Sequence, residues 1–314
     1  MSSGMKFNGL LRFWPPPVQI FQIRNIYIGN SEGGPKPKVF DKEKLKKYKD
    51  ELIGKDTGKN YNYVDKVAII TGGASGIGYE FAKTLADKKL LGVVIADINV
   101  EAGETAVRTL GNNVMFVKTN VQNNSELKSC FRRVMKKYHK LDLLINNAGI
   151  YNERSVDKVL NTNVRALMYG TFYGFMYMGK HRRRHGGIII NVSSVAGIRQ
   201  YAGFPLYTGA SHFVVGFSRS MGTPFFYDLT GVKVFTICPG FTDTHHLKDI
   251  NVLRGFDDLK SYTISTISSK MHQSPSVFGP ALITVIENGR NGCTWVVENG
   301  KPAYEVSPKE STVI

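Results

Sequence analysis

The chain has 314 residues, of which 42% are hydrophobic, and a formal net charge of +16. That apolar content is ample for a large soluble core, and the positive excess allows attraction to anionic ligands or surfaces without identifying one. An odd set of cysteines without CxxC spacing (Cys130, Cys238 and Cys293) argues against a disulfide framework or a zinc site, and no apolar run reaches the roughly 20 residues of a membrane helix.

Residues 1–63 read as a basic N-terminal extension. Trp14-Pro15-Pro16-Pro17 predicts a stiff extended segment and Glu32–Pro37 a linker. Lys42–Lys49 predicts a solvated lysine run rather than an interaction arm. The apolar stretch Leu10–Trp14 is too short for a secretory signal. The sparse cysteines make the cytoplasm the expected compartment. Mitochondrial targeting is the alternative, because Lys6, Arg12 and Arg24 precede the first acidic residue, Glu32.

From Lys66 onward, short β-branched runs alternate with helical stretches. Strands are predicted at 67–71, 93–97, 114–118, 143–147, 188–193, 232–238 and 294–297. Helices are predicted at 78–88, 100–110, 125–139, 159–181 and 206–228. This alternation predicts an α/β fold: a Rossmann-type, doubly wound parallel sheet of about seven strands with helices on both faces. The domain is expected to span 64–305, followed by a short tail over 306–314.

The first strand runs into Thr71-Gly72-Gly73-Ala74-Ser75-Gly76-Ile77-Gly78, after which a helix opens. Gly72 permits a tight turn, Gly76 lets the backbone approach a pyrophosphate, and Gly78 lets the helix pack on the strand. The helix N-terminus then offers N–H groups to the phosphates. Asp97 ends the second strand 19 residues after Gly78, near the spacing of about 20 expected for an acid on the adenosine ribose. Its carboxylate would accept from the ribose hydroxyls and repel a 2′-phosphate, so NAD is expected over NADP. The competing reading makes Asp97 a cap for the next helix.

These motifs match the short-chain dehydrogenase/reductase family over about 65–298. Thr71–Gly78 resembles the family's TGxxxGxG turn. Asn146-Asn147-Ala148-Gly149 resembles its NNAG motif, Asn163 its helix asparagine, and Ser194, in Asn191–Ser194, its catalytic serine. Tyr207 matches its catalytic tyrosine, and Pro239-Gly240 with Thr244 its nicotinamide loop. Tyr207–Ala210, Cys238–Phe241 and Asn291–Trp295 are similar to insect alcohol dehydrogenases and 15-hydroxyprostaglandin dehydrogenases. The resemblance implies NAD, a secondary alcohol or ketone substrate, and a homodimer through the two long helices. It places Ser75, Ile77, Asn120, Val121, Asn147, Ala148 and Gly149 on the cofactor, with Ser194, Phe204 and Tyr207 on the substrate. No nucleic-acid partner and no metal are expected.

The resemblance implies Tyr207 as acid/base, Ser194 as the group holding the substrate oxygen, and Asn163 as a relay to solvent. A phenol with a pKa near 10 serves at working pH only if that pKa is lowered. In the family, a lysine four residues later lowers it. Here that position is Ser211, and no lysine occurs between Lys180 and Lys233. His212 is adjacent, but on a helix it projects about 100° away. An activity loss of about 10²–10⁴ is expected, so a catalytically impaired NAD-binding relative is the second reading. Asn120 replaces the usual aspartate with little expected loss. Phe204 and Gly203 replace polar glutamines, which favours an apolar pocket. Leu167–Met178 is expected to pack and to form a subunit interface, Lys180–His185 to be a solvated loop, and Leu247–Pro280 to cover the substrate.

Overall fold

Strand β1 (Val67–Thr71) is buried along its whole length. Ala68 and Ile70 join one core cluster, while Val67 and Ile69 join another on the opposite face. A strand covered on both faces is apolar at every position, which is why runs rather than alternation mark it in the sequence. The computed structural model describes residues 61–244, 251–253 and 255–306. The predicted extended segment, linker and lysine run lie outside the described residues, as do 245–250, 254 and all of the tail beyond Val306.

Helix α1 (Gly76–Asp87) follows β1. Then come β2 (Gly92–Asp97), α2 (Val100–Leu110), β3 (Val114–Lys118), α3 (Asn124–Tyr138) and β4 (Leu143–Asn146). Helix α4 (Val156–Val159) passes through a π-helical stretch, Leu160–Ala166, into α5 (Leu167–Met178). Strand β5 (Gly187–Val192), α6 (Pro205–Met221), α7 (Pro224–Thr230) and β6 (Val232–Pro239) follow. The described chain closes with α8 (Asp257–Ser268), α9 (Phe278–Asn288), β7 (Thr294–Val297) and β8 (Tyr304–Val306).

The strand order is β3-β2-β1-β4-β5-β6-β7-β8. Strands β1 to β7 pair in parallel, and β8 pairs antiparallel with β7. This is the expected doubly wound sheet, with an eighth strand that the sequence reading does not predict. The chain reverses its build direction between β1 and β4. Such a reversal opens a crevice beyond the carboxyl ends of the strands, where ligands of these folds bind.

Phe81, Leu85, Phe278 and Leu282 cover one face of the sheet; Leu127, Phe131, Tyr173 and Met178 cover the other. The 167–178 segment packs as expected: a Cβ on Gly174 would lie 2.7 Å from Ile189 Cδ1. The long predicted helix 206–228 is two helices. Gly222 and Thr223 separate them, and Pro224 restarts the chain as α7, where the missing proline N–H is harmless. The basic residues 181–185 form an exposed turn, as expected of a solvated loop.

Asn99 is the N-cap of α2, its side chain accepting from the Ala102 N–H at 3.0 Å. Asn99→Ala is therefore expected to lower stability by about 1 kcal/mol, readable in denaturant unfolding.

Candidate active site

A cavity of about 970 Å³ opens at the carboxyl ends of the parallel strands. It brings together Gly72, Ser75, Gly76, Ile77, Asp97, Asn120, Val121, Asn147, Ala148, Gly149, Asn163, Ser194, Phe204, Tyr207, Ser211, Pro239, Gly240 and Thr244. Of the residues assigned in the sequence to the cofactor, the substrate or catalysis, Gly78 alone does not line it. A Cβ there would lie 2.2 Å from the Gly72 carbonyl oxygen. Gly78 thus allows close packing behind the cavity, as its position after the turn predicted.

The glycine turn forms one end. Gly72 has φ +63° and Gly76 φ +54°, the left-handed region that favours glycine. Asn147 locks the turn by donating to the Thr71 and Gly72 carbonyls at 3.1 and 3.0 Å. Thr71 Oγ1 accepts from the Asn147 and Ala148 N–H groups at 3.0 and 3.1 Å. Ser75 provides no side-chain cap, and the first turn of α1 carries no acidic residue. The positive end of this helix is left for an anion from outside.

Asp97 Oδ2 accepts from Ala74 N–H and Oδ1 from Asn99 N–H, both at 3.0 Å. It closes the glycine turn, while the capping of α2 falls to Asn99. The Asn120 side-chain oxygen already accepts from Gln122 N–H at 3.0 Å; an amide oxygen retains a second lone pair.

The other end is aromatic. Tyr207 is part of α6 and meets Tyr151 and Phe204 edge-on, at centroid distances of 5.8 and 6.4 Å. Phe204 stacks on Tyr201 at 5.1 Å, and Tyr201 meets Phe241 at 5.8 Å. His272 stacks on Phe241 and bonds Asp243 through Nδ1 at 3.0 Å.

Burial pushes the Tyr207 phenol above its ordinary value, while the hydroxyls of Ser194 and Ser211 pull it back by hydrogen bonding. Among the described residues, no lysine or arginine lines the cavity. Burial also raises the Cys238 thiol to about 12, which keeps it neutral near Tyr207. His212 is exposed and bonds the Thr208 carbonyl at 3.0 Å; it does not line the cavity. The Asn163 amide is engaged on both sides, accepting from Ile150 N–H and donating to Ile150 O, each at 2.8 Å.

Tyr151, Tyr201, Phe241 and His272 line the cavity without having been singled out in the sequence as site residues. Tyr151 follows the NNAG motif closely and Phe241 follows Pro239-Gly240, so proximity to a motif is the one signal that could have found them. Tyr201 and His272 carry none.

A family model described as short chain dehydrogenase matches residues 66–253. The chain is 36% identical to 15-hydroxyprostaglandin dehydrogenase [NAD(+)] of Bos taurus over 246 residues, which is 75% of this chain and 92% of the relative. It is 32% identical to alcohol dehydrogenase 2 of Ceratitis capitata, covering 77% of this chain and 95% of that one. A solved structure of 3-ketoacyl-(acyl-carrier-protein) reductase from Brucella melitensis, complexed with NADH, superposes with a TM-score of 0.64 at 22% identity. That superposition covers 75% of this chain and 97% of the reductase. The chain belongs to the short-chain dehydrogenase family.

Proposed function

We propose that residues 64–305 form an NAD-dependent oxidoreductase that interconverts a secondary alcohol and its ketone. The observation that carries this reading is one continuous cavity with the glycine turn and Asp97 at one end and Tyr207, Ser194 and Phe204 at the other. The relatives named above, one of them designated for NAD(+), support it.

The residues fit a dinucleotide. Gly72 and Gly76 form a cradle that side chains would fill: a Cβ on Gly72 would lie 2.9 Å from Ala148 Cα. Bound there, the nicotinamide would supply the hydride acceptor or donor. Ser75, Gly76 and Ile77 offer backbone N–H groups to the pyrophosphate. Asn120 and Val121 lie on the adenine side, and Asn147–Gly149 with Pro239, Gly240 and Thr244 line the way to the reacting end.

Asp97 favours NAD, since a 2′-phosphate beside its carboxylate meets like charge. Asp97→Ser is expected to narrow the NADH-over-NADPH preference by about tenfold or more, one tenfold step corresponding to 1.4 kcal/mol. Competitive fluorescence titration reads this ratio, and an unchanged preference would remove Asp97 from that role.

Tyr207 is the acid/base and Ser194 holds the substrate oxygen. The Ser211 hydroxyl favours the phenolate but supplies no charge. Asn163 holds the loop at Ile150, and any relay to solvent passes beside that clamp. The aromatic wall suits a neutral apolar substrate. A homodimer is supported by the exposed Val156, Leu160 and Phe213 on α4, the π-helical stretch and α6. No helix among the described residues is long and apolar enough to cross a membrane; the free, buried cysteines support the cytoplasm.

One observation favours the second reading, an impaired cofactor-binding relative: burial raises the Tyr207 phenol and no cationic lysine or arginine among the described lining residues opposes it. NADH fluorescence titration, followed by an alcohol panel at pH 7–10, decides between them. Binding with turnover that climbs with pH supports the enzyme. Binding without turnover at any pH supports the impaired relative. Absence of binding removes both.

A further inference from the structure

Glu153 is 2% exposed and lies in the segment between β4 and α4. Its Oε2 accepts from Leu206 N–H and its Oε1 from Tyr207 N–H, both at 2.9 Å. These are free N–H groups of the first turn of α6, 53 and 54 residues away in sequence. The helix has Phe204 at its N-cap and no local side-chain cap. The caps of α2, α3 and α4 are local and neutral: Asn99, Asn123 and Ser155. The helix that carries Tyr207 is instead held by a buried carboxylate reaching across the cavity wall.

Among the described residues, no cation contributes to the surroundings of Glu153. Burial raises its carboxyl, and the two backbone N–H groups alone oppose that. A buried charge is expensive unless well bonded, so this arrangement is a costly way merely to end a helix. Glu153 N–H also donates to Asn251 Oδ1 at 2.7 Å, and Tyr151, two residues earlier, packs its ring against Tyr207. One short loop thus grips the tyrosine helix by its backbone and by its ring.

We propose that Glu153 is a positioning residue that fixes Tyr207 against Ser194 and Ser211. It touches neither cofactor nor substrate, since it does not line the cavity. The inference rests on the reading of Tyr207 as the acid/base. Its physical basis is stoichiometric: a carboxylate can accept from two N–H groups at once, whereas a glutamine amide presents one acceptor and one donor. Glu153→Gln leaves one buried N–H facing an NH₂ group, and the start of α6 must shift.

The test uses the full chain labelled with ¹³C at tyrosine Cζ, with the Tyr207 resonance assigned by its loss in Tyr207→Phe. In Glu153→Gln, that resonance is expected to move. The pH at which Tyr207 ionises is expected to rise, because the phenol leaves the two hydroxyls that favour its anion. NADH affinity is expected to be unchanged. In the Ser211→Lys background, kcat is expected to fall by about 10²-fold with little change in KM, the scale of a small misplacement.

An unchanged Tyr207 resonance and titration in folded Glu153→Gln overturns the proposal and leaves Glu153 a plain helix cap. If the glutamine chain does not fold, Glu153→Asp is read in the same way, its carboxylate being one methylene short of both N–H groups. Failure of the natural chain to bind NADH would remove the functional reading, while the resonance would still report on Glu153.

Discussion

Ser211→Lys is expected to turn over a neutral secondary alcohol about 10²–10⁴ times faster than the natural chain at pH 7, the range that general acid–base catalysis supplies. Ser211 is buried, lines the cavity and lies within hydrogen-bonding reach of Tyr207. An ammonium there favours the phenolate, as a nearby opposite charge does for any acid. The natural chain has the reverse balance, with burial pushing the phenol up.

The sign for pH follows directly. Tyr207 acts as base only when ionised, and its ionisation lies above the ordinary value near 10. Oxidation by the natural chain should therefore rise about tenfold per pH unit from pH 7 to 10 without a plateau. Ser211→Lys should bring a plateau into that range. Equal rates for the two chains across pH 7–10 would show that Tyr207 ionisation does not limit the reaction.

Gly78→Ala is expected to lose NADH binding by about 10²-fold or more. The new Cβ would lie 2.2 Å from Gly72 O and 2.5 Å from Asn147 Nδ2. Backbone stands on one side and the clamp that holds the glycine turn on the other, so neither can give way cheaply. Overpacking costs about 1–3 kcal/mol, and about 3 kcal/mol charged against the cradle corresponds to about two decades in affinity. Gly216→Ala is the control. It lies in α6 with nothing within 4 Å of its Cβ, and should retain NADH affinity while gaining up to about 1 kcal/mol of stability. Equal NADH affinity in both variants would show that the cradle absorbs the intrusion.

The parallel strands were legible because burial on both faces demands continuous apolar runs such as Val67–Thr71. Strand β8 was not: three residues at a sheet edge, Tyr304-Glu305-Val306, carry no such run. Helix α8, Asp-Asp-Leu-Lys-Ser-Tyr at its start, shows little amphipathic contrast, whereas α9 carries a readable signal that the sequence reading passes over, with Phe278, Ala281, Leu282, Val285 and Ile286 at helical spacing. In the candidate site, the glycine turn and Asp97 could be read because they depend on short spacings. Glu153 and Tyr201 could not, since their roles arise from contacts made only after folding. Asp97 shows the same limit from the other side. Its position was readable, but its bond to Ala74 and the handing of the cap to Asn99 were not.

The π-helical stretch Leu160–Ala166 sets a constraint on chain length. A π turn accommodates one residue more than an α turn. Deleting one residue here closes the wide turn to an α turn and leaves the flanking helical segments in phase. Tyr173, Phe175 and Met178 stay on the sheet, while Asn163, which sits in the wide turn, loses its place against Ile150. The same deletion in the exposed turn at 181–185 would displace no such clamp. Tolerance to insertion and deletion should therefore differ sharply between two segments fewer than twenty residues apart, with the helical one the less forgiving.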